Sequence, residues 1–495
     1  MAVVAGQSTV VRTALGVLRG DTEAGVGVWR GVPYAEQPIG ARRFLAPAPP
    51  RPWEGVRDAR EHGPLPPQTT SFVGGGRDDP KARDEACLTL TVWSPDTTAA
   101  LPVMVWIPGG AFVYGAGQFQ LYNGSRLAAN GNVVVVNVTY RIGVFGGFEL
   151  SSLGDGFDDN LALRDQLAAL RWVRDHIAAF GGDPDRVTVF GESAGATSVL
   201  ALLATPQAGG LFGRAIAQSP ALPLIADREV RADRAREFLG HLGVRADEVK
   251  NVPQRQLRRA ASLVQRDSAA TTPTLAYGLT HGTELLPRHP VEAARAGEVA
   301  RVPLIIGTNS HEASMFAWTR PPMLPTTRAT VHDYLQRVAP EAKDVVLQSY
   351  PGFPRRSALI AFGSDVMFGA PTWAFADAVS ARAPTRMYRF DHAGMSLRLL
   401  GLGATHGSEI VHVQHSYSSF IGRKLHPLGR HFPPAVGVRM QRAWLDFACS
   451  DRVHDEANWP LYDVEHRRTR LIASRRDVVE DDPDRVRRSA WAAIS

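Results

Sequence analysis

Cysteine is nearly absent: Cys87 and Cys449 are the only two in 495 residues and lie far apart, so neither a disulfide framework nor a cysteine metal cluster is available. Two free thiols are the expectation. No stretch reads as both long and apolar enough to cross a bilayer, and Met1 to Gly16 shows no basic segment followed by an apolar run, so neither a membrane anchor nor a secretory signal is expected. A cytoplasmic location follows. Lysine is also scarce, confined to Lys81, Lys250, Lys343 and Lys424. The formal charge of +6 therefore rests on arginines scattered among acids instead of a basic stripe, which argues against nucleic-acid binding. What remains, 44% hydrophobic and 21% charged residues, is ordinary for a globular chain able to bury a large core.

Short β-branched or apolar runs bounded by Gly, Pro or Ser predict strands over 103–107, 133–138, 186–190, 214–218, 302–306 and 386–390. Between the second and third, Leu163, Leu167, Leu170, Val173, Ile177 and Phe180 recur every three or four positions and predict one helix over 161–180. Gly181-Gly182 would stop it and Asp183-Pro184 would turn the chain. Stretches 64–83 and 320–328 read as loops, neither long enough to be a linker, and no internal repeat is present. The alternation predicts an α/β fold with a large, mostly parallel sheet flanked by helices, and residues 1–495 as a single domain with insertions.

Gly191-Glu192-Ser193-Ala194-Gly195 lies between an apolar strand, Val187 to Phe190, and an apolar helix beginning at Ala196. A serine at a strand-to-helix turn is pushed into the cleft at the sheet's carboxyl end, and the flanking glycines allow the sharp backbone turn. Ser193 is thus a candidate nucleophile. Its hydroxyl needs a base and the base an orienting acid, which this topology places downstream on loops after strands. Of 15 histidines, His406 lies in a small-residue loop, and Glu312 follows the strand ending near Ile306; Glu409 and Asp365 are the other candidate acids. Oxyanion donors are expected from Gly110 and Ala111, after the strand ending at Ile107, and from Ala194.

From Gly31-Val32-Pro33-Tyr34-Ala35 and Arg43-Phe44, the motifs run through Glu85-Ala86-Cys87-Leu88 and Tyr140-Arg141-Ile142-Gly143 to Asp165-Gln166 and Phe180-Gly181-Gly182-Asp183-Pro184. With the serine elbow, Gly307-Thr308-Asn309 and Met387-Tyr388-Arg389-Phe390, they make the chain resemble the type-B carboxylesterase family, most of all its bacterial para-nitrobenzyl esterases. The resemblance implies an α/β-hydrolase fold whose helical insertions form a gorge over the site, a triad of Ser193, Glu312 and His406, and an oxyanion hole of Gly110, Ala111 and Ala194. It implies that Phe112, Met315 and Phe316 match gorge-lining positions, while a plain core role is the simpler reading for any one of them. By likeness to cholinesterases, Glu192 either bears on the charge preference of the substrate or is a carboxylate in a water-linked network near the histidine. Departures are His311 and Ala313 around the acid, Pro108 opening the oxyanion loop, and no cysteine before Cys87 to complete the disulfide of secreted members. No tryptophan lies between Trp53 and Trp93, where cholinesterases offer an aromatic face to a cation, so a choline-ester specialist is not expected.

The expected function is hydrolysis of small to medium apolar or aromatic carboxylic esters through an acyl-enzyme, with ester and water as partners, no cofactor or metal, and a monomer or small homo-oligomer. Amidase or carbamate hydrolysis by the same triad is the alternative. A non-catalytic interaction module is the alternative of another class.

Overall fold

The computed structural model describes residues 9–68, 83–271, 275–319, 323–450 and 459–494. Eleven strands form the main sheet: β1 (Asp21–Glu23), β2 (Val26–Pro33), β3 (Thr89–Ser94), β4 (Leu101–Ile107), β5 (Val134–Thr139), β6 (Gly182–Glu192), β7 (Arg214–Gln218), β8 (Leu304–Asn309), β9 (Thr385–Phe390), β10 (Arg468–Ile472) and β11 (Val478–Asp481). Their spatial order is β11-β10-β9-β8-β7-β6-β4-β5-β3-β2-β1. The middle seven, from β5 to β10, are mutually parallel, and the edges are antiparallel. All six strands expected from the sequence are present, within a few residues of their expected ends.

Alternation along these strands divides the core in two. Val103, Val105, Ile107, Val187 and Val189 face one layer with α1 (Leu161–His176) and α2 (Ala194–Leu203). Met104, Trp106, Phe190, Ile216 and Ile305 face the other, with Met440 and Trp444 of α3 (Ala435–Cys449). Both faces being covered is why the central strands read as near-continuous apolar runs. A smaller sheet pairs Val10–Thr13, Gly16–Arg19 and Val56–Asp58. Cys87 is buried and Cys449 partly buried, both as free thiols.

The helix expected over 161–180 is α1 to His176 and then a tighter 3-10 turn, Ile177–Phe180, ended by Gly181 at φ 78°. Beyond it the chain bends at Asp183-Pro184 as expected: Leu101 pairs with Gly182 but Val103 with Val187, so three extra residues bulge out of β6, and the Asp185 N–H donates to Asp183 Oδ1 at 3.0 Å. Pro184 falls at this irregularity, where a missing N–H leaves no ladder bond broken. Of the expected loops, residues 69–82 and 320–322 lie outside those described, and a helix begins at Arg328.

A second difference is the helix Arg356–Ser380, long and apolar enough by length and composition to cross a membrane, where the sequence reading expects no such stretch. Most of it is buried. Its Ala370–Ser380 half packs on the helices Pro290–Ala296 and Arg485–Ala492, so the apolarity serves the core.

Several motifs turn out to brace the frame. Arg43 forks onto Glu85 through Nε to Oε2 at 2.7 Å and Nη2 to Oε1 at 2.6 Å. Arg141 does the same to Asp165, at 2.8 and 2.6 Å, with both side chains buried and the Arg141 backbone N–H adding a third bond. Breaking a buried pair leaves an uncompensated charge, so Asp165→Ala should cost about 3–5 kcal/mol. Chemical denaturation monitored by circular dichroism would measure the loss, and a change below ~1 kcal/mol would contradict it.

Candidate active site

Ser193 stands between the last residue of β6 and the first of α2, at φ 58° and ψ −124°. That backbone region is sparsely populated and costs on the order of 1–3 kcal/mol, so the surroundings must impose it. They do so by close packing. A Cβ on Gly195 would lie 2.0 Å from the Ile107 carbonyl oxygen, and one on Gly191 would lie 2.7 Å from it. The Ser193 N–H donates to the Gln218 carbonyl at 2.9 Å, which ties the turn to β7 as well.

The loop after β4 comes up beside the serine. Gly109 is so close that a Cβ there would sit 2.9 Å from Glu192 Oε2 and 3.1 Å from Ser193 Cβ. Gly110, Ala111 and Phe112 all have positive φ, at 115°, 54° and 57°. The Tyr140 hydroxyl donates to the Pro108 carbonyl at 2.7 Å and fixes the start of the loop, a link the sequence reading lacks. Phe112 is fully buried within the core and packs against Gly147.

His406 and Glu312 meet although 94 positions apart, with Nδ1 and Oε2 at 2.7 Å. Both are almost fully buried. The other Glu312 oxygen accepts from the Asn309 N–H at 2.7 Å. Asn309 Nδ2 donates to the Thr405 carbonyl at 2.8 Å and to Glu409 Oε2 at 2.6 Å, so this one side chain joins the end of β8 to the histidine loop. The sequence places it in the loop after the strand 302–306, within the Gly307-Thr308-Asn309 motif, and gives no sign of this bridging role.

The other two candidate acids are engaged elsewhere. Glu409 also accepts from Gln218 Nε2 at 3.2 Å, and Gln218 Oε1 accepts from Trp444 Nε1 at 3.0 Å. Asp365 accepts from the Tyr350 hydroxyl at 2.7 Å and from Arg487 at 2.9 Å.

His406 Nε2 lies 3.2 Å from Glu192 Oε1, and among the described residues neither atom has a formed hydrogen bond. No hydrogen bond joins Nε2 to Ser193 in this structure. Burial pushes the Glu192 carboxyl up to about 8, with Glu409 and Glu312 adding to the rise and His406 opposing it. Burial disfavours the His406 imidazolium, but Glu192, then Glu312 and Glu409, more than offset this and push it up to about 9. Nε2 and Oε1 thus compete for one proton, and titration of either belongs to the pair.

Aromatic rings cover the imidazole. Phe368 lies 4.4 Å from it and Phe316 5.5 Å, centroid to centroid, and the two phenyl rings stack at 6.3 Å. Phe316 is half-buried and Met315 is 37% exposed, the more open of the two. Phe368 escapes sequence reading because it sits in the π turn Asp365–Gly369, where an inserted residue breaks helical periodicity.

A mostly parallel sheet with a serine on a strained turn at its carboxyl edge, and an imidazole–carboxylate pair on later loops, defines an α/β-hydrolase. The profile of the carboxylesterase family matches residues 7–491. Para-nitrobenzyl esterase of Bacillus subtilis (strain 168) is 37% identical over 97% of each chain. Phenmedipham hydrolase of Pseudarthrobacter oxydans is 32% identical over 92% of each, and human cocaine esterase 33% identical over 90% of this chain and 84% of its own. A solved para-nitrobenzyl esterase structure superposes with a TM-score of 0.89, at 37% identity, covering 98% of this chain and 99% of the other. The chain belongs to the carboxylesterase family and is a serine hydrolase of carboxylic esters.

Proposed function

We propose that Ser193, His406 and Glu312 carry out a two-step acyl transfer on small to medium apolar or aromatic esters. The observation that carries this reading is the buried His406–Glu312 contact of 2.7 Å beside the strained Ser193 turn. His406 Nε2 takes the Ser193 proton as the hydroxyl oxygen attacks the ester carbonyl, and Glu312 holds the proton on Nδ1 and stabilises the imidazolium. Because catalytic hydrogen bonds often tighten only with substrate bound, the Ser193–His406 bond forms in the Michaelis complex. The amides of Gly110, Ala111 and Ala194 hold the oxyanion, and Gly109 lets that loop approach. The imidazolium then protonates the departing alcohol. Water, activated by His406, releases the acid and restores Ser193.

Met315 and Phe316 line the acyl or alcohol side together with Phe368, an apolar wall that suits esters without charge at that end. Phe112 supports the oxyanion loop from within the core. The rest of the reading is a cytoplasmic enzyme of one domain spanning 1–495, monomeric or a small homo-oligomer, acting without nucleic acid or membrane.

An organophosphonate bearing a good leaving group should give a single adduct, which peptide mapping locates on Ser193. An adduct elsewhere, or none, would overturn the assignment. Glu192 sets where the base titrates, because its carboxylate stabilises the imidazolium at Nε2. A neutral amide there removes that stabilisation, and His406 must be neutral to accept a proton. The acid limb of the kcat/KM profile should therefore move to lower pH in Glu192→Gln; an unmoved or raised limb would contradict it.

A further inference from the structure

Three imidazoles outside the ester site converge just beyond the carboxyl edge of the sheet. His392 follows β9, His412 lies in the short helix Ile410–Val413 behind the His406 loop, and His426 ends the helix Phe420–Leu425. One ring nitrogen from each lies within 4.8 Å of the other two. The rings of His392 and His412 are 5.2 Å apart, His412 and His426 4.7 Å, and His392 and His426 5.8 Å.

Two of the rings have a hydroxyl at Nδ1. His412 Nδ1 is 2.8 Å from the Tyr417 hydroxyl and His392 Nδ1 is 2.8 Å from Ser474 Oγ. Either oxygen can accept from an Nδ1–H, which leaves the Nε2 lone pair free, the arrangement that orients metal-binding imidazoles. His392 Nε2 is buried and has no hydrogen-bond partner among the described residues. Backbone closes in on the His412–Tyr417 pair: a Cβ at Gly437 of α3 would lie 2.0 Å from the Tyr417 hydroxyl oxygen and 2.9 Å from His412 Nδ1. Two arginines are near, yet Arg439 is paired with Asp477 at 2.9 Å and Arg398 donates to Ser474 Oγ at 3.1 Å.

We propose that His392, His412 and His426 form a binding site for one divalent transition-metal ion of the zinc class. Three imidazoles without a carboxylate suit zinc, nickel, cobalt or copper and offer little to magnesium or calcium. Tetrahedral bonds of ~2.0–2.1 Å place ligand nitrogens roughly 3.3 Å apart, so small side-chain rotations would close the observed spacing, and water would fill the fourth position. The ion would clamp the ends of β9 and of two helices behind the loop that carries His406. No sequence motif announces the site, because its members stand 20 and 14 positions apart on separate elements.

Zinc titration of the chelator-treated full-length protein by isothermal calorimetry tests this directly. One equivalent should bind in the micromolar range or tighter, and cobalt in its place should give ligand-field absorption. His392→Gln and His426→Gln, the second at a half-buried position, should each weaken binding by on the order of a hundredfold and abolish the zinc-induced rise in Tm seen in the parent. His412→Gln is a poorer choice because that ring is buried and bonded to Tyr417. Absence of binding below millimolar zinc would overturn the proposal. So would binding that persists unchanged in both variants, which would place the ion elsewhere, such as at His241 and Asp267.

Discussion

Ser193→Ala should lower kcat for a short para-nitrophenyl ester by on the order of 10⁵–10⁶-fold, because removal of the nucleophile leaves only oxyanion donors and binding to act. The same substitution should leave the fold intact. Nothing in the turn depends on the hydroxyl: its N–H is tied to Gln218, and alanine meets the same backbone strain that serine already bears. Stopped assays with matched thermal melts separate the two quantities. Retained hydrolysis at more than a hundredth of the parent rate, with the fold intact, would refute the nucleophile assignment.

Glu312→Gln should cost roughly 10⁴-fold in kcat, since an amide facing Nδ1 favours the tautomer that places the proton on the wrong nitrogen. The two other acids provide the control. Glu409 accepts from Asn309 and Gln218, and Glu409→Gln would set an N–H₂ against one of those donors, so its loss should appear mainly in stability. Asp365→Asn disturbs the contacts to Tyr350 and Arg487, remote from the imidazole, and should likewise lower Tm more than kcat. If Glu312→Gln matched the parent in kcat while Glu409→Gln lost it, the orienting role would pass to Glu409.

The parallel middle of the sheet was legible because its strands are buried on both faces and read as apolar runs. The serine elbow was legible because glycines must stand where Cβ atoms would strike the Ile107 carbonyl. The antiparallel edge was not: β2 carries a register shift between Trp29 and Val32, and β1 has only three residues, so neither shows a clean alternation. Long-range side-chain links were equally hidden. Asn309 reaches Thr405 and Glu409 across about a hundred positions, and Phe368 reaches His406 from a π turn, and local pattern carries neither. The approach of Glu192 to the histidine is legible from its place in the elbow, but the direct 3.2 Å contact with Nε2 is not.

The serine turn is anchored to two neighbouring strands, through Gly195 against β4 and the N–H bond to β7, whereas the rings over His406 stand on 3-10 and π turns. Reacting atoms and selecting surfaces therefore belong to parts of the molecule with different tolerance for change. On the proposed assignment, substitutions at Met315, Phe316 and Phe368 would retune which esters are accepted while Ser193 stays where the sheet holds it, a division suited to divergence in substrate preference and to directed evolution.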